Sequence, residues 1–379
     1  MLKITFISNS WNNYHIMEFC KEMDKIENVD FKFIATEKNP EKLKKYGQDK
    51  KTIYPFVIEA YNNNCEQLVL ERMKNSDAVI IGPISDSYIK ERLEDNKITF
   101  RYSERVNKRG DWTLLYPPKT VYLIKKHTKY RKKRLYMLCS SAYAKHDFSL
   151  VGAYKNKCFK WGYFPKTPVF ENVDQIIQSK EKNTINWTGR LIKWKHPEDA
   201  IEIAKKLKAD NYNFTMNIIG EGELEEKLKK DIEKFNLKDN VFLRGVLPTK
   251  DVYEYMKKTQ IYIATSDYNE GWGAVVNEAM GYACAVVASK AMGSVPYLIK
   301  DGKNGFTYKN GNINDLYRKV KRILDDEKLS NQISKNAYDT INNTWNGKIY
   351  AQRFVKLVEE LLKGNDPNKL FKDGPCSRA

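Results

Sequence analysis

Apolar runs of strand length alternate with helical periodicity along almost the whole chain, and this alternation restricts the fold more than any other feature. In the first half, strands are predicted at 2–8, 30–35, 78–82, 98–102 and 135–140, and a helix at 14–27. A second strand–helix series begins at Thr184 and ends with a helix at 349–363. Because strand–helix–strand repeats produce a parallel sheet with helices on both faces, the sequence predicts an α/β protein.

The limits of the domains follow from the length of 379 residues and from a change in composition between the two series. We predict a Rossmann-like domain over 1–168, a linker over 169–183, and a second Rossmann-like domain over 184–345. The linker is indicated by residues 159–181, which are richer in proline and aromatic residues and lack a helical period. A helix over 346–363 carries an apolar stripe and is expected to pack back toward the N-terminal domain. Residues 364–379 show no period and are expected to be a disordered tail.

Cysteine usage and hydropathy indicate the compartment. Six cysteines are scattered without a C-x-x-C pair, which argues against a disulfide framework or a zinc site and favours a reducing cytoplasm. No stretch approaches the ~18 uncharged apolar residues that span a bilayer, and the N-terminus is too β-like for a signal peptide. The protein is expected to be cytoplasmic, either soluble or peripheral at the inner face of the membrane.

Positive charge is concentrated in the first half of the chain. The net charge is +18, and residues 1–170 hold 32 Lys/Arg against 19 Asp/Glu. The run Lys125–Arg134 is the most basic part, and apolar residues and tyrosines flank it over 121–138. A basic helix with interleaved aromatics is typical of a surface for anionic membranes, and a solvated face is the alternative. No zinc finger, RRM or KH signature is present, so no nucleic-acid partner is expected.

The segment Glu270–Gly281 carries the strongest functional signal. It begins after the apolar strand 261–264, crosses two glycines and enters a helix, which places Glu270 at the strand's carboxyl end and Glu278 a turn inside the helix. Ligands bind at that end of open α/β sheets, and the N–H groups of a helix start attract anions. Two carboxylates beside an anion site suit a phosphorylated ligand that also carries hydroxyl groups. An exposed loop followed by an ordinary amphipathic helix is the alternative.

Other strand ends in the second series carry ligand-type residues. Arg190 and Lys195 follow the first strand, where two cations can neutralise a diphosphate. Gly220 and Gly222 form a G-x-G turn after the next strand, and Gly245 ends the one after that. Each signal alone is weak, because surface charge and tight turns are common. Their repetition in one domain predicts a ligand site along one sheet edge.

These motifs also have a characteristic order: Gly189-Arg190 with Lys195, Gly220-x-Gly222, Arg244-Gly245-Val246, Glu270-x7-Glu278 and Gly302-x-x-Gly305. Over about residues 184–325 the chain resembles retaining glycosyltransferases of the GT-B fold, in the large family four. More loosely, residues 6–15 and 99–105 resemble the bacterial surface-polysaccharide branch. The resemblance implies two Rossmann-like domains whose parallel sheets face each other across a cleft.

The resemblance also implies roles for single residues. Arg190 and Lys195 would bind the donor diphosphate and stabilise the leaving nucleotide. Glu278 would accept hydrogen bonds from the ribose, and Glu270 would hold the donor sugar near its anomeric carbon. The other donor-binding residues are expected to be Gly189, Gly220, Gly222, Val246, Gly273, Ala274 and Val275. Of these, the helix-start residues would offer N–H groups to the phosphates, and Val246 would contact the base.

The first domain departs from the family pattern at the catalytic position. Many relatives carry a histidine there, and the matching region 102–105 has none. Glu104 or Ser103 is expected to replace it, with His15 as the alternative. We expect His15, Asn9 and Ser103 to bind the acceptor.

Two further departures lie in loops. Many relatives have glycine after the lysine and a glycine-rich turn after the first strand, whereas this chain has His196 and residues 9–13 at those places. No Asp-x-Asp occurs in the chain, so the diphosphate lacks the usual carboxylate clamp for a divalent ion. Arg190 and Lys195 can supply that positive charge, and neither a metal nor another cofactor is expected.

The sequence therefore predicts a retaining, metal-independent glycosyltransferase of the hexosyltransferase type. It would move a sugar from a nucleotide-sugar, with a UDP-sugar as the expected donor, to a glycan or lipid-linked acceptor in bacterial surface polysaccharide synthesis. Front-face attack and a covalent intermediate both stay open. The alternatives are a sugar-nucleotide epimerase of the same fold and a basic nucleic-acid-binding protein.

Overall fold

The computed structural model describes residues 1–10, 15–38, 54–62 and 65–379. The described chain divides into two compact units. The first unit comprises Met1–Pro165 and Trp345–Ala379, and the second comprises Lys166–Thr344. Each unit contains a parallel sheet with helices, which confirms the α/β prediction. None of the helices within the described ranges is both long and apolar enough to cross a bilayer.

The described residues of the first unit form a sheet of seven parallel strands. Its strands are β1 (Leu2–Ser8), β2 (Val29–Ala35), β3 (Val57–Glu59), β4 (Ala78–Ile81), β5 (Ile98–Ser103), β6 (Leu135–Cys139) and β7 (Cys158–Lys160). Its helices are α1 (Met17–Asp24), α2 (Glu66–Asn75), α3 (Lys90–Glu94), α4 (Pro117–Thr128), α5 (Ala144–Ser149) and α14 (Gly347–Leu362). The strand order β3-β2-β1-β4-β5-β6-β7 reverses between β1 and β4, which is where open α/β sheets bind ligands.

Helix α14 belongs to the first unit although it follows the second unit in the chain. Asn346 caps its start by accepting a hydrogen bond from the Ile349 N–H at 3.1 Å. Its apolar stripe includes Phe354, whose ring centroid lies 5.9 Å from that of Phe19 in α1 and 5.0 Å from that of Phe100 in β5. The stripe is therefore buried against the sheet and its first helix.

The helix predicted over 14–27 is present as α1, which runs from Met17 to Asp24. Residues 11–14 lie outside the described part of the chain, and most of the turn noted at 9–13 lies there with them. The α1 face that is buried carries Phe19, Cys20 and Met23. Apolar side chains three and four positions apart thus form the buried side of the helix, as the periodicity predicts.

The basic run predicted as one helix is divided in the structure. Helix α4 ends at Thr128, and β6 begins at Leu135 after a turn. Arg134 donates to the carbonyl of Leu361, and Lys133 Nζ donates to the carbonyl of Glu94 at 2.8 Å. A run of charges has no apolar period that shows where a helix ends, so the prediction placed the boundary wrongly.

The tail predicted to be disordered is folded onto the first unit. The Cys376 side chain is fully buried, and the Cys376 N–H donates to the carbonyl of Lys160 at 2.9 Å. Lys160 N–H in turn donates to Ser377, and Ala379 N–H donates to Cys158 at 3.0 Å. The tail thus supplies backbone partners to the edge strand β7. These contacts are single backbone hydrogen bonds and not part of a regular helix or strand. Hydrophobic periodicity in the sequence therefore could not predict them.

The second unit contains a sheet of six parallel strands in the order β10-β9-β8-β11-β12-β13. The strands are β8 (Glu181–Thr188), β9 (Thr215–Ile219), β10 (Val241–Leu243), β11 (Thr259–Ala264), β12 (Ala285–Ser289) and β13 (Phe306–Tyr308). The helices are α6 (Val173–Gln178), α7 (Glu198–Ala209), α8 (Glu225–Lys234), α9 (Thr249–Lys258), α10 (Ala274–Gly281), α11 (Val295–Leu298), α12 (Ile313–Asp325) and α13 (Glu327–Asn343). The order reverses between β8 and β11, so the loops after these two strands meet at the switch point.

The segment predicted as a linker, 169–183, is part of the second unit. It contains α6 and the start of β8. Phe170 N–H donates to the Tyr338 hydroxyl at 2.8 Å, and the two rings stack with centroids 5.5 Å apart. Phe170, the aromatic residue of this segment, therefore packs against α13.

Candidate functional site

Backbone hydrogen bonds donated by glycines hold together the turns after β8, β9 and β10. Gly189 N–H donates to the carbonyl of Ile219 at 3.0 Å, and Gly220 N–H donates to the carbonyl of Gly245 at 2.8 Å. Gly220 has a φ of 138°, and a Cβ there would collide with the Gly189 carbonyl. The Gly220 N–H is therefore engaged within the fold, and the absence of a Cβ lets the two strand ends approach closely.

The second glycine of the G-x-G turn has a similar packing role. A Cβ on Gly222 would collide with the backbone of Leu191. Leu191 N–H donates to the carbonyl of Glu221 at 2.8 Å. The turn after β9 therefore presses directly against the segment that carries Arg190 and Lys195.

An ion pair joins the turn after β8 to the loop after β11. Lys195 Nζ lies 2.5 Å from Glu270 Oε2, and the two side chains are only 14% and 13% exposed. Ser266 Oγ donates to the same carboxylate oxygen at 3.2 Å. A cation suited to a phosphate and a carboxylate suited to hydroxyl groups are thus held side by side at the carboxyl edge of the sheet.

The Trp194 ring lies beside both predicted cations. Its centroid is 4.8 Å from Lys195 Nζ and 5.6 Å from the guanidinium carbon of Arg190. Cation–π contacts of this kind orient a charged group without neutralising it. Arg190 is exposed at the surface and remains accessible to an anion. Sequence reasoning did not identify Trp194, because no local pattern marks a tryptophan as a partner of neighbouring cations.

The start of α10 is open to an anion. Gly273 precedes the helix with a φ of 89°, a left-handed conformation that favours glycine. A Cβ there would collide with the Met292 side chain and would lie 3.3 Å from Glu270 Cγ. The first turn has no acidic side chain and no side-chain cap, and its first N–H groups, from Ala274 and Val275, lack intrahelical acceptors.

Glu278 lies one turn inside α10 and is 8% exposed. Its Oε1 accepts a hydrogen bond from the Tyr253 hydroxyl at 3.3 Å. The Tyr253 ring stacks on Tyr282 with centroids 5.1 Å apart. The carboxylate therefore already accepts from a hydroxyl donor in this structure, which is the chemistry that binding a ribose requires. Tyr253 lies in α9 and was not predicted from the sequence.

Val246 follows Gly245 after β10, and its side chain is 38% exposed. Gly245 has a φ of 65°, which turns the chain sharply at this point. Val246 thus lies in the turn that follows the carboxyl end of β10, as Gly189, Gly220 and Glu270 lie after the ends of other strands of this sheet. Of the predicted site residues, the structure brings Lys195, Glu270 and Gly273 close together, as the ion pair and the contact between Gly273 and Glu270 show.

In the first unit, the predicted residues His15 and Ser103 lie close to a third predicted residue, Glu104. The Tyr163 hydroxyl donates to Glu104 Oε1 at 2.5 Å, and Lys108 Nζ lies 2.7 Å from Oε2. The His15 ring stacks on Tyr163 with centroids 4.3 Å apart, and Ser103 Oγ donates to the Glu104 carbonyl at 2.7 Å. Sequence reasoning missed Tyr163, because it lies in an aromatic-rich segment without a period.

Burial affects the ionisation of the predicted histidine. Desolvation lowers the pKa of His15 to about 4, although the nearby Glu104 charge opposes this shift. The His15 ring is therefore neutral at physiological pH. Asn9 engages other groups: its Oδ1 accepts from Ser8 Oγ at 3.3 Å, and its carbonyl accepts from the Glu37 N–H at 2.6 Å.

The described chain contains one group of three side chains whose composition would allow it to hold a cation. These are His196, Glu198 and Asp199, whose nitrogen and carboxylate oxygens lie within 4.8 Å of one another. Both ring nitrogens of His196 already face carboxylates, at 3.1 Å from Glu198 and 3.5 Å from Asp267. We therefore assign these residues to an ion-pair network beside Lys195.

Comparison with known proteins matches the second unit most clearly. Residues 169–340 match the model of the family described as glycosyl transferases group 1. The chain is 29% identical over 169 residues to a poly(ribitol-phosphate) alpha-N-acetylglucosaminyltransferase of Staphylococcus aureus, covering 45% of this chain and 34% of that protein. It is 30% identical over 199 residues to the N-acetylgalactosamine-N,N'-diacetylbacillosaminyl-diphospho-undecaprenol 4-alpha-N-acetylgalactosaminyltransferase of Campylobacter jejuni, covering 51% and 50%. The chain thus spans half or less of the length of these relatives.

Solved structures extend the likeness to the whole fold. The Anabaena protein HepE, crystallised in complex with UDP, superposes with a TM-score of 0.65 at 14% identity, over 95% of this chain and 100% of that chain. At this identity the likeness concerns the fold alone, and it includes both parallel sheets. The chain has the GT-B fold, and residues 169–340 of its second unit match the glycosyl transferases group 1 family.

Proposed function

We propose that the protein transfers a sugar from a nucleotide-sugar donor to a glycan or lipid-linked acceptor in bacterial polysaccharide synthesis. The observation that carries the proposal is the Lys195–Glu270 pair beside the open start of α10. It combines a cation, a carboxylate and the N–H groups of a helix start at one sheet edge. The two curated relatives support the substrate class, because both are named as glycosyltransferases that act on polymeric or lipid-linked acceptors.

In the proposed complex, each part of the donor has a matching group. The diphosphate lies at the N–H groups of Ala274 and Val275, with Arg190 and Lys195 as counter-charges. Glu278 accepts hydrogen bonds from the ribose. We propose a UDP-sugar as the donor, and the complex of HepE with UDP supports this choice.

The proposed reaction breaks the bond between the sugar's anomeric carbon and the diphosphate oxygen and forms a bond to the acceptor hydroxyl oxygen. Negative charge develops on the departing diphosphate, and Arg190 and Lys195 stabilise it. The acceptor proton ends on the departing phosphate. Following the family resemblance, we propose that the transfer retains the anomeric configuration. The two cations supply the positive charge, so we propose that no metal ion is required.

A screen of nucleotide-sugars by thermal unfolding tests the proposed function. A ligand that binds only the folded state stabilises it by about 2.7 kcal/mol at a hundred times its dissociation constant. We expect UDP and at least one UDP-sugar to raise the unfolding temperature in a concentration-dependent manner, and uridine to have little effect. Failure of every nucleotide and nucleotide-sugar to stabilise the protein would contradict the proposal.

We also propose that the first unit contacts an anionic membrane through α4 and the residues on either side of it. The exposed large apolar side chains of this region are Trp112, Leu115, Tyr116, Val121, Tyr122 and Ile124. The exposed cations that follow are Lys125, Lys129, Arg131 and Lys132. Apolar side chains next to cations suit the boundary between headgroups and acyl chains. His127 does not take part, because it is buried and hydrogen-bonds the Tyr154 hydroxyl at 2.8 Å.

Liposome binding tests this surface. Each cation near an anionic membrane contributes about 1 kcal/mol, and salt screens the effect. We expect the protein to sediment with liposomes that contain phosphatidylglycerol and not with phosphatidylcholine liposomes. Replacing the four exposed cations Lys125, Lys129, Arg131 and Lys132 by glutamine should abolish sedimentation.

The matched control replaces four exposed lysines of the second unit by glutamine: Lys230, Lys250, Lys257 and Lys328. Its net charge equals that of the first variant. We expect it to sediment like the wild type. Equal sedimentation of both variants would show that net charge, rather than this surface, governs the binding.

A further inference from the structure

His196 occupies a backbone conformation that is unusual for its residue type. It follows Lys195 directly and has a φ of 50° and a ψ of 53°, in the left-handed region. A residue with a Cβ is disfavoured in that region, so the surroundings must hold His196 there. The contacts of the His196 ring are the first candidates for holding the residue in this conformation.

The ring connects two elements that flank the candidate site. Its Nδ1 lies 3.1 Å from Glu198 Oε1 in α7, and its Nε2 lies 3.5 Å from Asp267 Oδ2 in the loop after β11. Both ring nitrogens can donate only when the ring is protonated. The geometry therefore suits an imidazolium between two carboxylates.

The same two segments are joined by neutral hydrogen bonds. Thr265 Oγ1 donates to the carbonyls of Lys195 and His196 at 2.7 and 2.9 Å. Asp267 N–H donates to the carbonyl of Trp194 at 2.9 Å. Glu270 N–H then donates to the carbonyl of Asp267 at 3.0 Å, so Asp267 lies within the turn that presents Glu270. A contact between His196 and Asp267 thus acts on the spacing of Lys195 and Glu270.

We propose that the His196 imidazolium is a positioning group that clamps the segment carrying Arg190 and Lys195 to the loop carrying Glu270. The clamp presents the cation and the carboxylate at a set distance before the donor arrives. The inference rests on the proposed function for its effect on donor binding. The clamp itself is a property of the free protein and can be measured without a donor.

The charges that face the ring determine its pH dependence. Glu198 and Asp199 face it from α7, Asp267 faces it from the loop after β11, and Lys195 precedes it in the chain. The hydrogen bond to Glu198, aided by the charges of Asp199 and Asp267, raises the pKa of His196. Burial raises the pKa of the Asp199 carboxyl, and the charge of His196 opposes this shift.

The sign of the pH effect follows from the raised pKa. A histidine whose pKa is higher in the folded state stabilises that state fully below its ordinary pKa. The stabilisation is lost as pH rises through the raised value. The clamp is therefore closed at a pH below the ordinary histidine pKa and is released as the pH rises through the raised pKa.

The first test compares UDP affinity, measured by calorimetry, for the wild type and the His196→Asn variant. Asparagine tolerates the left-handed conformation but carries no charge. We expect the variant to bind UDP about five-fold more weakly at pH 6, the effect of an ion pair of ~1 kcal/mol, and equally at pH 9. Equal affinity at pH 6, or the same deficit at both pH values, would overturn the clamp.

The matched control is His146→Asn in the first unit. His146 Nε2 lies 2.9 Å from Asp111 Oδ2, so it is also a histidine–aspartate contact at the surface. We expect this variant to bind UDP like the wild type at both pH values.

The second test needs no donor. Unfolding free energies of wild type, His196→Asn, Asp267→Asn and the double variant form a double-mutant cycle. We expect a coupling between the two residues at pH 6 that disappears at pH 9. All samples are dialysed against EDTA, so a cation bound beside His196 cannot produce the coupling. Absence of coupling at pH 6 overturns the clamp. Coupling without any UDP binding supports the clamp and instead removes the proposed function.

Discussion

Replacing Arg190 and Lys195 together by alanine is expected to lower donor turnover roughly a hundred-fold or more, the cost of losing a preorganised group that stabilises developing charge. Both cations flank Trp194, and Lys195 also pairs with Glu270. The departing diphosphate would then lose both of its counter-charges. Initial rates at saturating donor measure this loss.

Folding and metal effects need their own controls. Removing Lys195 leaves the partly buried Glu270 carboxylate without its cation, so the unfolding temperature of each variant is measured alongside its rate. Lys193→Ala is the matched variant, because Lys193 lies exposed in the same turn. We expect it to retain wild-type rates.

Wild-type turnover should survive EDTA, and Mg²⁺ or Mn²⁺ should not restore the double variant. Loss of wild-type activity in EDTA, regained with either ion, would contradict the metal-free proposal.

Glu278→Ala is expected to weaken donor binding by about 1.5–3 kcal/mol, which is roughly ten- to 150-fold in the dissociation constant. Glu278 is 8% exposed and already accepts from the Tyr253 hydroxyl. Charge-assisted hydrogen bonds from ribose hydroxyls to such a shielded carboxylate are strong, and alanine offers no acceptor.

Calorimetry with UDP and with a UDP-sugar measures this effect. Glu278→Gln keeps one oxygen acceptor and should fall between the wild type and the alanine variant. Tyr253→Phe removes only the hydroxyl that contacts Glu278, and we expect a smaller change in affinity. If the folded alanine variant bound UDP as tightly as the wild type, Glu278 would have no place in the donor site.

The site residues at the carboxyl edge of the second sheet could be predicted from the sequence. The tight backbone turns there require glycines, and the predicted ligand site requires glycines at the same places. Gly273 has a left-handed φ at the start of α10, and a Cβ on Gly220 would collide with its neighbour. Such glycines stand out in the sequence beside strand-like runs. Glu270 and Glu278 are recognisable for the same reason, since each lies at a set distance from a predictable strand end.

The contacts between distant segments could not be predicted in this way. Lys195 and Glu270 are 75 residues apart, and no local pattern shows that their loops meet. Tyr163 reaches Glu104 from a segment without periodicity, and Tyr253 reaches Glu278 from the helix before it. Tertiary packing determines these partners. The segment 169–183 was misassigned for a related reason, because Phe170 packs against Tyr338 of α13, which is distant in the sequence.

The most direct test of the central claim follows the fate of the donor. The protein is incubated with a panel of UDP-sugars in the presence of poly(ribitol phosphate), and in parallel with an undecaprenyl-diphosphate-linked sugar. Chromatography and mass spectrometry then identify every product. We expect UDP and a glycosylated acceptor from at least one pair, with much slower UDP release when no acceptor is present. Recovery of every UDP-sugar intact, or only as its epimer, from a protein that binds UDP would contradict the assignment as a glycosyltransferase.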